Sequence, residues 1–98
     1  MEIRKTTDGT RLTIALDGRL DTLSSRELEK ELRASASGMT ELVFEFEQLT
    51  FITSAGLRVL ALARKLMQDP GSMRILHVQP DVMDVFDATG LSAFLNIE

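Results

Sequence analysis

Cysteine, tryptophan and tyrosine are absent from this 98-residue chain, and histidine occurs once, at His77. Without cysteine there is no disulfide, no thiolate nucleophile and none of the common zinc patterns, which suits a reducing compartment. One histidine without cysteine completes no recognisable metal site, so His77 reads as a hydrogen-bonded residue within or at the end of a strand. The five phenylalanines lack the polar handle of the rings that line sugar, base or ligand platforms, and no deep small-molecule site is expected. No apolar run approaches the ~20 residues that span a bilayer, and Met1-Glu2-Ile3-Arg4-Lys5 has no signal-peptide hydrophobic region. A cytoplasmic location without direct membrane insertion is expected.

The charges exclude another class. Eleven basic and 15 acidic residues leave a formal charge of -4, and no Lys/Arg cluster is dense enough to track a phosphate backbone, so nucleic acid is not an expected partner. None of the six glycines forms a GxGxxG or GxxxxGK[ST] array, which leaves nucleotide hydrolysis without a motif. No base, nucleophile and orienting group stand together. Asp84 and Asp87, three apart on a helical pattern, read as solvated carboxylates. The expectation is a protein that is not an enzyme and carries no cofactor and no metal.

What is present is an alternation of strand and helix patterns over one small domain, residues 1–98, large enough to bury about 60–70% of its unfolded surface. Met1 to Thr6 and Arg11 to Asp17 read as strands joined through Asp8-Gly9, a strong hairpin signal. Leu23, Leu28 and Leu32 mark the apolar face of a first helix whose outer face is charged. Leu42 to Phe46 reads as a central strand, and Met73 to Val78 as another. Between them a helix runs from near Ser54 to about Met67, where Asp69-Pro70-Gly71 blocks it. Pro80 opens a third helix with Val82, Met83, Val85 and Phe86 on one face, Gly90 stops it, and Phe94 to Ile97 reads as a final strand. The order ββαβαβαβ predicts an α/β fold with a mixed four- to five-stranded sheet, parallel except for the opening hairpin.

The stretch Phe51-Ile52-Thr53-Ser54-Ala55-Gly56-Leu57 is the most informative. Apolar residues run into a hydroxyl pair, and Leu57, Leu60, Leu62, Ala63 and Leu66 then recur near helical spacing, which makes Thr53 or Ser54 the N-cap. Ser54 thereby sits at a helix mouth, where unpaired N–H groups and the positive end of the dipole favour an added phosphate. Simple capping accounts for the same residues, and from the local pattern both readings stay open.

Three segments together resemble the STAS family, the fold of bacterial anti-sigma factor antagonists and of sulfate-transporter tails. Leu16-Asp17-Gly18-Arg19-Leu20-Asp21 resembles the family's strand ending in Gly-x-Leu-Asp. Leu49 to Leu57 resembles its Asp-Ser-[Ser/Thr]-Gly-Leu loop with the preceding strand. Val85-Phe86-Asp87-Ala88-Thr89-Gly90-Leu91 resembles its Phe-x-x-[Ser/Thr]-Gly-Leu helix ending.

The resemblance implies a single STAS-like domain in which Ser54 is the phosphorylated serine of an antagonist. Asp21 matches an aspartate near that loop, and Gly56 a signature glycine whose lack of bulk would let a partner approach. Asp21, Thr53, Ser54, Ala55, Gly56, Leu57 and Arg58 form the implied partner-binding set, with Arg64 and Lys65 free to add steering charge. The implied partner is an anti-sigma factor that is also a serine kinase of the histidine-kinase-type ATPase fold, opposed by a serine phosphatase. Two positions depart from the family pattern: Thr53 stands where aspartate is usual, and Ala55 where serine or threonine is usual. The departure at Thr53 fits an alternative, a non-enzymatic subunit that binds the ATPase of a membrane lipid or solute transporter. A nucleotide-binding regulatory module is a further alternative.

Overall fold

Leu12, Ile14 and Leu16 are buried, while Arg11, Thr13 and Ala15, which alternate with them, are not. This period of two gives the strand one apolar face. The computed structural model describes residues 1–67 and 72–98. Strand β1 (Glu2–Asp8) turns at Gly9, whose φ of 61° lies in the left-handed region, and pairs antiparallel with β2 (Arg11–Leu20) from Glu2↔Asp17 to Asp8↔Arg11. Helix α1 (Thr22–Ser35) leads to β3 (Glu41–Ile52), which lies parallel to β2; α2 (Ser54–Leu66) leads to β4 (Ser72–Leu76), parallel to β3. The sheet order is β1-β2-β3-β4, and α3 (Pro80–Thr89) and a 3-10 turn (Leu91–Ala93) close the chain.

One apolar cluster takes side chains from the alternate positions of the strands and from all three helices, so the helices share one face of the sheet. Phe44, Phe46 and Phe86 are fully buried at its centre, with ring centroids 5.6 and 6.4 Å apart along the row. The opposite face is mostly polar, although Val43 is buried there in register with Thr13 and Arg74. Glu41 there accepts from Arg11 at 3.1 Å and from Arg74 at 2.9 Å, and these two guanidiniums, Arg11 first, hold its carboxyl below the ordinary range. On the helical side Lys5 of β1 donates to Ser35 Oγ of α1 at 2.9 Å and pairs with Glu31.

Strand β3 runs well past the Leu42–Phe46 core that its apolarity marks. Two irregularities make this possible. The partner of β2 steps from Glu45 to Gln48 between Ala15 and Asp17, and from Leu49 to Phe51 between Gly18 and Arg19. Each step inserts one extra residue in β3, a bulge that re-phases the strand so that Leu49 and Ile52 return to the core. The end of β3 thus stays in register with the end of β2, Leu20↔Ile52.

Helix α1 differs from the sequence reading at Leu23, which is 68% exposed, whereas Ser24, Ser25, Leu28 and Leu32 face inward. Five residues separate Leu23 from Leu28, about 140° around a helix with 3.6 residues per turn, so the two cannot share a face. Helix α2 buries Leu57, Val59, Leu60 and Ala63 and is capped at Met67; the expected Asp69-Pro70-Gly71 stop lies outside the described residues. Helix α3 begins at Pro80 and ends at Gly90, which adopts a left-handed φ of 78°. The final segment adds a single parallel bridge, Ile75↔Ile97, to the four-stranded sheet.

Candidate functional site

Strands β2 and β3 end side by side, and each feeds a helix. The two helix starts therefore emerge together at one end of the sheet. Thr53, the N-cap of α2, donates both its backbone N–H (3.0 Å) and its hydroxyl (3.1 Å) to the carbonyl of Leu20. Its side chain makes no bond to the N–H groups of its own helix. The first intrahelical bond runs from the Leu57 N–H to the Thr53 carbonyl at 3.0 Å, so the N–H groups of Ser54, Ala55 and Gly56 precede it at the positive end of the dipole. Ser54 is exposed at the first helical position.

Asp21, directly after Leu20, is the N-cap of α1. Its carboxylate accepts from the Ser24 N–H at 3.0 Å, and Ser24 Oγ accepts from the Asp21 N–H at 2.9 Å, a reciprocal capping box. The Ser24 backbone bond first, and then the Ser24 hydroxyl, hold the Asp21 carboxyl below its usual range. Asp21 is thus a fixed negative charge at the surface, one residue from the acceptor that anchors the start of α2.

Of the residues singled out in sequence, Asp21, Ser54 and Arg58 are exposed and Thr53 and Ala55 half-buried. Gly56 and Leu57 instead face the interior. A Cβ on Gly56 would lie 2.8 Å from Ile52 Cγ1 and 2.8 Å from Leu20 Cδ2, so the absent side chain admits the sheet, not an approaching partner. Leu57 is only 8% exposed and belongs to the core, because it follows Gly56 on the buried face of α2. Arg58, Arg64 and Lys65 are exposed on a helix that carries no acidic residue.

The fold brings further residues to this end of the sheet. Arg19 and Phe51 are register partners at the ends of β2 and β3, and the Arg19 guanidinium stacks 4.2 Å from the centroid of the 40%-exposed Phe51 ring. Exposed Leu23 lies in the first turn of α1 beside Asp21. An apolar residue followed by a break in the helical period is the sequence signal that marks Leu23 as outward-facing.

His77 stands apart, just beyond β4, with a left-handed φ of 57°. Its Nδ1 lies 2.8 Å from Glu45 Oε2, and the Glu45 carboxylate first, with Glu47 behind it, raises its pKa. No ligating companion of this histidine is evident in the sequence; the parallel β3–β4 pairing brings Glu45 and Glu47 to it. Asp84 and Asp87 are exposed on α3. Among the described residues no helix is long and apolar enough to cross a membrane.

The chain matches the profile of the STAS domain over residues 2–98. It is 35% identical over 88 residues to BtrV of Bordetella bronchiseptica, whose proposed role is that of an anti-sigma factor antagonist, covering 88% of this chain and 73% of BtrV. The fold is similar to that of an anti-sigma factor antagonist from Mycobacterium paratuberculosis, with a TM-score of 0.88 at 18% identity, covering 98% of this chain and 83% of that one. It is also similar to the Bacillus cell fate determinant SpoIIAA in its phosphorylated form, with a TM-score of 0.78 at 19% identity, covering 99% of this chain and 91% of that one.

Proposed function

The chain belongs to the STAS domain family, and on that premise we propose that it is an anti-sigma factor antagonist that acts by partner switching under the control of Ser54. Unmodified, it docks onto an anti-sigma factor that is itself a serine kinase of the histidine-kinase-type ATPase fold, and so releases the sigma factor which that kinase holds. Asp21, Thr53, Ser54, Ala55 and Arg58 form the centre of the docking surface, with Leu23, Phe51 and Arg19 around them. Phosphorylation of Ser54 ends the contact, and a serine phosphatase restores it.

One observation carries this reading: Ser54 is exposed at the mouth of α2, on a start that Thr53 pins to β2 through two hydrogen bonds. A hydroxyl held there is accessible to a kinase. A phosphate placed on it finds N–H donors within its own chain, so the loop can carry the modification without unfolding. The cost falls on the complex. A group of about −1.5 to −2 charges must be desolvated at the interface, and a penalty of ~3 kcal/mol weakens binding more than 100-fold. The similarity to BtrV and to SpoIIAA, a protein with a phosphorylated form, supports the same reading.

The test is affinity capture from the source cell with ATP or ADP present, using the wild-type chain and Ser54→Asp as baits. A serine kinase of the ATPase fold should be retained by the wild type and lost by Ser54→Asp. Capture of a transporter ATPase by both baits would overturn partner switching and favour the transport-subunit reading, which Thr53 in place of aspartate suits.

A further inference from the structure

We propose that Glu45, Glu47 and His77 form a surface site for a divalent first-row transition-metal ion, with Zn2+ the ion their donors suit. The inference is independent of Ser54 and of any partner. Glu45 and Glu47 stand two residues apart on β3, and distant His77 joins them because β3 and β4 pair in parallel, with Glu45 opposite Leu76, next to His77. Their ligand atoms all lie within 4.8 Å of one another.

The surroundings hold two of the three donors in place. Glu45 is half-buried, and its Oε1 accepts from the Glu47 N–H at 3.0 Å, which fixes the carboxylate beneath the imidazole. His77 has a left-handed backbone, and its main-chain N–H donates to the main-chain oxygen of Glu98 at 3.3 Å. The Gln79 side chain bonds the Glu47 carbonyl. Glu47 is exposed.

Two carboxylates and one neutral imidazole total two negative charges, matched by a divalent cation. Imidazole with carboxylate selects zinc and its neighbours, whereas magnesium and calcium prefer oxygen alone. At bond lengths of about 2.0–2.2 Å, tetrahedral ligands stand roughly 3.4 Å apart, so binding requires the 2.8 Å contact between His77 and Glu45 to open and the other ligand atoms, within 4.8 Å, to settle to that spacing. When His77 Nδ1 ligates, the hydrogen it shares with Glu45 leaves to water and the ring keeps its Nε2–H, so the imidazole stays neutral, and water fills the open fourth position.

His77 is the only histidine in the chain, so in a protein without a histidine tag its imidazole NMR resonances report this site alone. Titration with Zn2+ should move them saturably at one ion per chain, with Mg2+ at equal concentration leaving them in place. Glu47→Gln should weaken Zn2+ binding at least tenfold, and His77→Ala should abolish it. Both substitutions are at exposed positions, and melting of the metal-free variants verifies that they fold. Zn2+ should also raise the melting temperature of the wild type but not of His77→Ala. Resonances that do not move, or equal affinity in Glu47→Gln and wild type, would overturn the proposal, the latter because it reduces the site to a lone histidine contact.

Discussion

Thr53 gives two hydrogen bonds to one acceptor: its N–H and its hydroxyl meet the carbonyl of Leu20 at 3.0 and 3.1 Å. The pair ties the start of the helix that carries Ser54 to the strand that ends at Asp21. Thr53→Val keeps the shape and removes one of the two bonds. Urea denaturation should show a loss of about 0.5–1.5 kcal/mol, the usual worth of a half-buried neutral hydrogen bond, while Thr53→Ser should lose less.

Gly56 faces Leu20 and Ile52 so closely that an added Cβ would sit 2.8 Å from each. Alanine is the better helix former, and on an open helix it would stabilise. Here overpacking wins: Gly56→Ala should cost about 1–3 kcal/mol in chemical denaturation. A gain in stability would contradict this close packing.

Leu23 and Leu28 occupy the same helix with opposite surroundings, 68% and 0% exposed. Leu28→Ala should cost about 2–5 kcal/mol, because it opens a cavity in the core. Leu23→Ala should change stability by less than about 0.5 kcal/mol, and its effect should fall on binding to the captured ATPase.

Asp21 is held below its ordinary pKa of 3.8 by the bonds from Ser24. A carboxyl lowered by folding stabilises the native state above its unfolded pKa, and that contribution is lost as pH falls through the lower, folded value. An NMR titration of the Asp21 carboxyl carbon should give a midpoint under 3.8, and Ser24→Ala should move it upward.

Much of the fold is legible in the sequence because its signals are local. Asp8-Gly9 marks the hairpin, Pro80 and Gly90 bracket α3, and hydroxyls ahead of an apolar period mark the mouth of α2. What escapes local reading depends on contacts across strands. Glu47 and Gln48 look like the end of a strand, yet bulges against β2 carry β3 on to Ile52. Gly56 looks like an opening for a partner until Leu20 and Ile52 are placed against it. The Arg19–Phe51 stack and the Glu45–His77 pair each join residues 32 apart in sequence, and only strand register brings them together.

The most direct test of partner switching is calorimetric titration of the captured ATPase, with ADP bound, by wild type, Ser54→Ala and Ser54→Asp. Wild type and Ser54→Ala should bind alike, and Ser54→Asp at least 100-fold more weakly. Equal affinity for Ser54→Ala and Ser54→Asp would contradict control through charge at Ser54.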